Sequence, residues 1–177
     1  MKLLSIVLLL FSLNLFAMDK FSDDQLQTLD TVRKIAKQTP DANGKTYEDT
    51  MSAICLTESS AGANIIGDFQ KNIPITKASL GIMQVQVQTA RYVAQEIKEL
   101  HWISKLNDSQ IANRLLSDPV FSAKVATNYF ILLKKSRKDY MKSISGYNGG
   151  IINKPYYDRV LKSLDIIKEL KEAKKIS

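Results

Sequence analysis

The sequence predicts a mainly α-helical protein that carries one short β-hairpin. Three observations indicate this fold class: apolar residues recur at helical spacing over most of the chain, strands and helices do not alternate, and strand signals are confined to residues 65–69. This pattern is typical of a helical domain and argues against an α/β sheet protein.

The first helix is predicted from residue 22 or 23 to about residue 38. Ser22 or Asp23 can cap its start. Its apolar side chains then follow at helical spacing: Leu26, Leu29, Val32, Ile35 and Ala36. The segment from Pro40 to Gly44 predicts a turn after this helix.

A second helix, from about Tyr47, carries an acidic residue on its apolar face. The apolar side chains of that face are Met51, Ile54 and Cys55, and the next position is Glu58. A carboxylate therefore falls where a core side chain is expected. Residues 60–79 lack periodicity, which predicts an irregular segment with a hairpin near residues 65–69.

Five more helices are predicted in the second half of the chain. They cover residues 89–100, 109–116, a long segment from Asp118, residues 139–146, and residues 155–171. Asp118 followed by Pro119 is the clearest start signal, because a capping side chain precedes a proline at the first helical position. The Lys-rich end after residue 171 is predicted to be solvated and frayed.

Residues 1–17 have the pattern of a secretory signal peptide. Lys2 precedes an apolar run from Leu3 to Phe16, and Ala17 suits the position before a cleavage site. The run is shorter than the about 20 residues that span a bilayer. We therefore expect export to the periplasm or cell envelope, with a membrane-tethered form if the bulky Leu15 prevents cleavage. Residues 18–177 are then expected to form a single, monomeric domain.

The chain is basic, with 25 Lys and Arg residues against 18 Asp and Glu residues and a net charge of +7. Such a surface favours polyanions. Because the charges are scattered, without Arg clusters or interleaved aromatic residues, no nucleic acid partner is expected. An exported protein meets the anionic polymers of the cell envelope instead.

Cys55 is the single cysteine, so an internal disulfide is excluded. A reactive thiol needs a neighbouring base, and the only histidine, His101, lies far away in the sequence. We therefore expect Cys55 to be a buried core residue.

Three separated segments carry the residues that could perform chemistry. They are Thr57-Glu58-Ser59-Ser60, Ser79-Leu80-Gly81-Ile82-Met83-Gln84 and Gly146-Tyr147-Asn148-Gly149-Gly150. In this order, on a helical background, they resemble the soluble lytic transglycosylase (SLT) family, which has a goose-type lysozyme-like fold. The segment 156–161 resembles the last helix of that family. The resemblance covers residues 46–164 and implies cleavage of peptidoglycan.

The position of Glu58 supports acid chemistry independently of the resemblance. Cleavage of a glycosidic bond needs a proton donor that stays protonated near neutral pH. Burial on an apolar helix face raises the pKa of a carboxyl group, and a helix C-terminus acts in the same direction. Glu58 is therefore the predicted catalytic residue.

No second carboxylate is convincingly paired with Glu58 in the sequence. Asp68 is the nearest candidate, and a turn residue is the simpler interpretation. The resemblance implies a transglycosylase route that needs one carboxyl group and no cofactor. Glu58 first protonates the bond between MurNAc and GlcNAc, and then accepts the proton of the C6 hydroxyl, which leaves a 1,6-anhydro-muramoyl end.

The resemblance also implies roles for residues around Glu58. Tyr147 is expected to orient the Glu58 carboxyl by a hydrogen bond. The residues expected to contact substrate or line the cleft are Ser59, Ser60, Met83, Gln84 and Asn148. For Ser59 and Ser60, capping of the helix end is an equal alternative. Trp102 and His101 are assigned structural roles.

Two other functions are compatible with the sequence. One is a non-catalytic module that binds peptidoglycan or serves envelope assembly, which the glutamate at position 58 disfavours. The other is a hydrolytic lysozyme. Some SLT family members open the wall locally for secretion systems, pili or flagella, and the small size of this chain is compatible with such a partner.

Overall fold

The computed structural model describes residues 21–68 and 74–177. The predicted signal segment 1–17 lies outside the described residues, as does residue 69 of the predicted hairpin. The described part contains seven α-helices: α1 (Asp23–Lys37), α2 (Glu48–Ser59), α3 (Val87–Glu96), α4 (Asp108–Ser117), α5 (Pro119–Arg137), α6 (Tyr140–Tyr147) and α7 (Lys154–Glu172). The mainly α prediction is confirmed.

Side chains at the helix ends explain why the helices begin where they do. Ser22 and Gln25 form a reciprocal capping box at the start of α1. The Asp118 carboxylate accepts the amide of Phe121 at 2.9 Å, so the predicted start of α5 at Pro119 is correct. Asn153 caps α7 in the same way.

Helix α2 is the central element of the core. It packs against α1 and α7, and every residue from Thr50 to Cys55 is buried. Since both sides of the helix are covered, its sequence lacks the one-sided apolar pattern of a surface helix. The long helix α5 packs against α1 and α6 and contributes the buried Val125, Ala126 and Phe130.

The predicted third helix is wrong over its last four residues, 97–100. Helix α3 ends at Glu96, because Ile97 is extended, and a 3-10 helix follows over Lys98–Lys105. Leu100 and Ile103 are both buried there. A spacing of three residues matches the 3-10 turn, so the two side chains reach the core without continuing α3.

The β structure is a single antiparallel pair, which confirms a small β element beside the helices. Strand β1 (Ile66–Gly67) pairs with β2 (Ser79–Leu80), so Ile66 faces Leu80 and Gly67 faces Ser79. The partner strand therefore lies beyond the predicted hairpin, at the far end of the irregular segment. A short 3-10 helix, Ile75–Lys77, precedes β2.

The residues after α7 are docked, which corrects the prediction of a frayed tail. Ile176 is buried against the core, and the amide of Ser177 donates to Asp30 in α1 at 2.7 Å. The guanidinium of Arg33 donates to the Ser177 carbonyl. Among residues 21–68 and 74–177, no helix is long and apolar enough to cross a bilayer.

Candidate active site

Glu58 is the second-to-last residue of α2. The helix ends because Ser60 adopts a left-handed conformation with φ of 52°, and its amide still donates to the Leu56 carbonyl at 3.1 Å. The Glu58 side chain is half-buried at this end of the buried helix. The carboxyl group therefore lies between the core and a cleft.

The second predicted segment forms a tight loop beside the end of α2. Leu80 and Val85 exchange backbone hydrogen bonds of 3.1 and 2.9 Å, which close residues 81–84 into a turn. Gly81 has φ of +74°, and an added Cβ would lie 1.9 Å from the Leu115 carbonyl oxygen. Glycine is required there by both its backbone conformation and its contact with α4.

Two carbonyl groups of this loop connect the three predicted segments. The Ser59 hydroxyl, at the end of α2, donates to the Ile82 carbonyl at 2.7 Å. The Tyr147 hydroxyl, at the end of α6, donates to the Met83 carbonyl at 2.8 Å. The segments are therefore adjacent in space, as their resemblance implied.

Tyr147 does not make the predicted hydrogen bond to Glu58, because its hydroxyl is bound to Met83. Tyr156 makes that bond instead: its hydroxyl donates to Glu58 Oε1 at 2.5 Å. Tyr156 lies in the first turn of α7, and its side chain is buried. The sequence did contain an indication of Tyr156, because residues 156–161 resemble the last helix of the family. Spacing alone does not show which of the two tyrosines contacts Glu58.

Burial controls the acidity of this carboxyl group. It raises the pKa of Glu58 above the ordinary value of 4.5, while the hydrogen bond from Tyr156 and the positive charge of Arg159 lower it. The negative charge of Asp68 adds to the rise. The pKa of Tyr156 is also raised, by burial and by the adjacent Glu58, so its hydroxyl stays protonated and keeps donating.

Four of the predicted site residues line one cleft: Glu58, Tyr147, Gln84 and Asn148. Three do not. Met83 and Ser59 are fully buried, so the Met83 side chain belongs to the core and the Ser59 hydroxyl ties the helix end to the loop. Ser60 is exposed, and its carbonyl accepts the side-chain amide of Gln25 at 2.8 Å.

The cleft also contains residues that the sequence did not single out as site residues. They are Gly67, Ser79, Val85, Gln86, Thr89, Tyr129 and Gly149. The Gln84 side chain packs directly against Gly67, because a Cβ at position 67 would lie 2.1 Å from Gln84 Oε1. The Gln84 amide nitrogen donates to the Gly81 carbonyl at 2.9 Å, so its direction is fixed. Ser79 and Gly149 belong to two of the predicted segments, whereas Gly67 in β1, Thr89 in α3 and Tyr129 in α5 lie in elements that carry no motif.

Asp68 lines the same cleft as Glu58. Its φ is +52°, which agrees with the predicted turn, and its carboxylate accepts the Ser79 hydroxyl at 2.9 Å. Cys55 is fully buried, so the prediction of a buried core cysteine is confirmed, and burial raises the pKa of its thiol to about 12. Within residues 21–68 and 74–177, no cluster of three or more His, Cys, Asp or Glu side chains is suited to hold a metal ion.

A sequence model of the transglycosylase SLT domain matches residues 37–168. The chain belongs to the transglycosylase SLT family. This range includes Glu58, the 81–84 loop, Tyr147 and Tyr156. The family assignment supports the lysozyme-like helical domain and a function that acts on peptidoglycan. No curated protein and no solved structure matches the chain significantly.

Proposed function

We propose that the chain is a lytic transglycosylase that cleaves the β-1,4 bond between MurNAc and GlcNAc without water, with Glu58 as its single acid and base. The observation that carries this proposal is a half-buried glutamate that lines a cleft, has a raised pKa and accepts a hydrogen bond from a buried tyrosine. The family assignment supports the substrate class.

In the first step, protonated Glu58 donates its proton to the glycosidic oxygen as the bond from that oxygen to C1 breaks. Its raised pKa favours the acid form that this step consumes. The carboxylate that results is stabilised by the hydrogen bond from Tyr156 Oη and by the charge of Arg159.

In the second step, the Glu58 carboxylate accepts the proton of the substrate's C6 hydroxyl while O6 bonds to C1. The product carries a 1,6-anhydro-muramoyl end, and Glu58 is protonated again. Gln84 and Asn148 are proposed to contact the sugars, since both side chains line the cleft. Tyr147 acts as a positioning residue that holds the 81–84 loop through Met83.

The test is mass spectrometry of purified sacculi digested with the wild-type protein and with the Glu58→Gln variant. The proposal expects anhydro-muropeptides from the wild type and none from the variant. Soluble products with reducing ends would indicate a hydrolase. If neither protein releases soluble products although both bind sacculi, a non-catalytic binding module is the better account.

A hydrolytic lysozyme is the second candidate, because Asp68 lines the same cleft and its charge acts on Glu58. A hydrolase needs such a second carboxylate to activate water or to bond to the sugar. The Asp68→Asn variant separates the two functions. A transglycosylase keeps its anhydro products in this variant, whereas a hydrolase loses its reducing-end products.

The substrate lies outside the cytoplasmic membrane, so the proposal includes export through the signal segment 1–17. Periplasmic fractionation followed by N-terminal sequencing checks this, with Met18 expected as the first residue after cleavage. We further propose that the domain acts as a monomer and opens the wall locally for a secretion, pilus or flagellar assembly. Loss of that assembly in cells carrying only Glu58→Gln is the expected phenotype.

A further inference from the structure

The catalytic cleft continues past Tyr129 into a second, shallower groove. The two depressions share Gln86, Thr89 and Tyr129 in their walls, so they form one surface. The outer part adds Gln88 and Tyr92 from α3 and Leu133 from α5. A ligand that is longer than the catalytic cleft can therefore contact the outer groove as well.

Three tyrosine rings run along this surface. Tyr147 and Tyr129 have ring centroids 5.7 Å apart, and Tyr129 and Tyr92 have centroids 6.3 Å apart at nearly perpendicular planes. Tyr129 supports the outermost ring through this edge contact. Tyr92 is 45% exposed, so part of its ring is accessible to a ligand.

The local sequence of α3 explains how this platform is built. Tyr92 follows Gln88 by four residues, so both side chains lie on the same exposed face of the helix. Val93 and Ala94 turn inward and are fully buried, which anchors the helix. The outer groove thus presents one aromatic ring next to exposed side-chain amides.

The chemistry of the outer groove favours an uncharged ligand. Of the described residues that line it, none carries a charge: Gln86, Gln88, Thr89, Tyr92, Tyr129 and Leu133. A peptide stem carries free carboxylates and would need a cationic partner, whereas a sugar ring needs an apolar face for its C–H groups and amides for its hydroxyl and acetamido groups.

We propose that Tyr92 and Gln88 form an outer binding site for a sugar ring of the glycan strand, which makes the protein selective for longer strands. The inference rests on the proposed function in one respect, which is that the ligand is a glycan strand. Tyr92 provides the stacking face, and Gln88 provides a hydrogen-bonding amide. Neither contacts the reacting atoms, so both act on binding and leave the chemical step unchanged.

The test measures the affinity of peptide-free glycan oligomers of increasing length by calorimetry, in a Glu58→Gln background that prevents cleavage. Covering about 50 Å² of apolar ring face corresponds to about tenfold in affinity. The double variant with Tyr92→Ala should therefore lose about tenfold for the longest oligomers, with the disaccharide unaffected. Tyr92→Phe keeps the ring and should bind as tightly as its parent.

Trp102→Ala is the matched control, because Trp102 is also an exposed aromatic residue (38% exposed) and lines neither part of the groove. It should leave every affinity unchanged. The proposal is overturned if Tyr92→Ala weakens the binding of all oligomer lengths equally or weakens none. Because binding is measured without turnover, a length-dependent loss would stand even if the wild type releases no anhydro products.

Discussion

The Tyr156 hydroxyl donates to Glu58 Oε1 at 2.5 Å. Because this hydrogen bond stabilises the Glu58 carboxylate, it lowers the pKa of the group against the effect of burial. The same stabilisation favours the carboxylate that forms once the proton has left. Tyr156 therefore limits how far burial raises the pKa of Glu58.

Substitution of Tyr156 by Phe should raise the pKa of Glu58 further and lower kcat by about tenfold to a hundredfold, the value of a hydrogen bond to a charged group. The high-pH limb of the activity profile should move upward, and kinetics on soluble glycan strands across pH measure both effects.

Tyr157→Phe is the control, since this neighbour contacts the Tyr140 ring and not Glu58. If Tyr156→Phe and Tyr157→Phe behave alike, the role assigned to Tyr156 is wrong.

At the residue scale, the sequence correctly placed the Glu58 carboxyl on a largely buried helix but assigned its hydrogen bond to the wrong tyrosine. Glu58 could be found because a charge interrupts an apolar face. Tyr147 and Tyr156 both stand near a motif, and only the packing of α6 and α7 decides which hydroxyl reaches Glu58 and which reaches Met83. Ser59 and Met83 were predicted to contact substrate for the same reason, although both are buried.

At the scale of elements, the loop of residues 81–84 joins the end of α2 to the end of α6. Its shape depends on Gly81, which lies against the carbonyl of Leu115 in α4. A shift of this loop would move the carbonyl groups that Ser59 and Tyr147 hold.

Gly81→Ala should therefore destabilise the protein by about 3 kcal/mol or more, since a left-handed conformation and a steric clash act together. Gly44→Ala is the matched control, because Gly44 has a similar φ of +78° and no atom within 4 Å of an added Cβ. It should lose about 1–2 kcal/mol. Urea unfolding of the two variants compares them, and equal losses would contradict the proposed contact.

Elements with regular apolar spacing and a cap could be predicted, which explains the agreement at α1, α5 and α7. The break at Ile97 could not, because a 3-10 turn also buries Leu100 and Ile103, and the helical pattern continues through it. The pairing of β1 with β2 was also missed. Two-residue strands carry no detectable alternation, and their register depends on contacts distant in sequence.

At the scale of the whole molecule, the lysine-rich composition of the last residues gave no indication that they pack against the core. A lysine-rich segment predicts solvation, yet Ile176 reaches the core and Arg33 and Asp30 bind the backbone of Ser177. The buried Ile176 side chain and the two contacts to the Ser177 backbone hold this segment in place despite the charged residues around it. These contacts form only when α1 and α7 are packed together.

The raised pKa of Glu58 also links the site to the stability of the fold. Below the unfolded-state value near 4.5, the carboxyl is protonated in both states. As the pH rises through the higher folded-state pKa, stability is lost because the native protein must ionise a half-buried group.

Glu58→Gln should therefore melt at a higher temperature than the wild type at pH 8 and should show no gain at pH 4. Thermal unfolding at several pH values measures this difference. The same substitution at the exposed Glu169 should change the melting temperature little at either pH. A wild type that is more stable than Glu58→Gln at pH 8 would contradict the linkage.

The titration of the Glu58 carboxyl itself tests the central claim most directly. Carbon-13 NMR of glutamate-labelled protein, with Glu58→Gln to assign the signal, gives the midpoint, and the pH profile of kcat/KM is measured on the same protein. If burial raises the pKa of Glu58 and the protonated form is the acid, the midpoint lies above 4.5 and kcat/KM falls as the pH rises through that midpoint. A midpoint at or below 4.5, or activity that persists unchanged above it, would contradict the central claim.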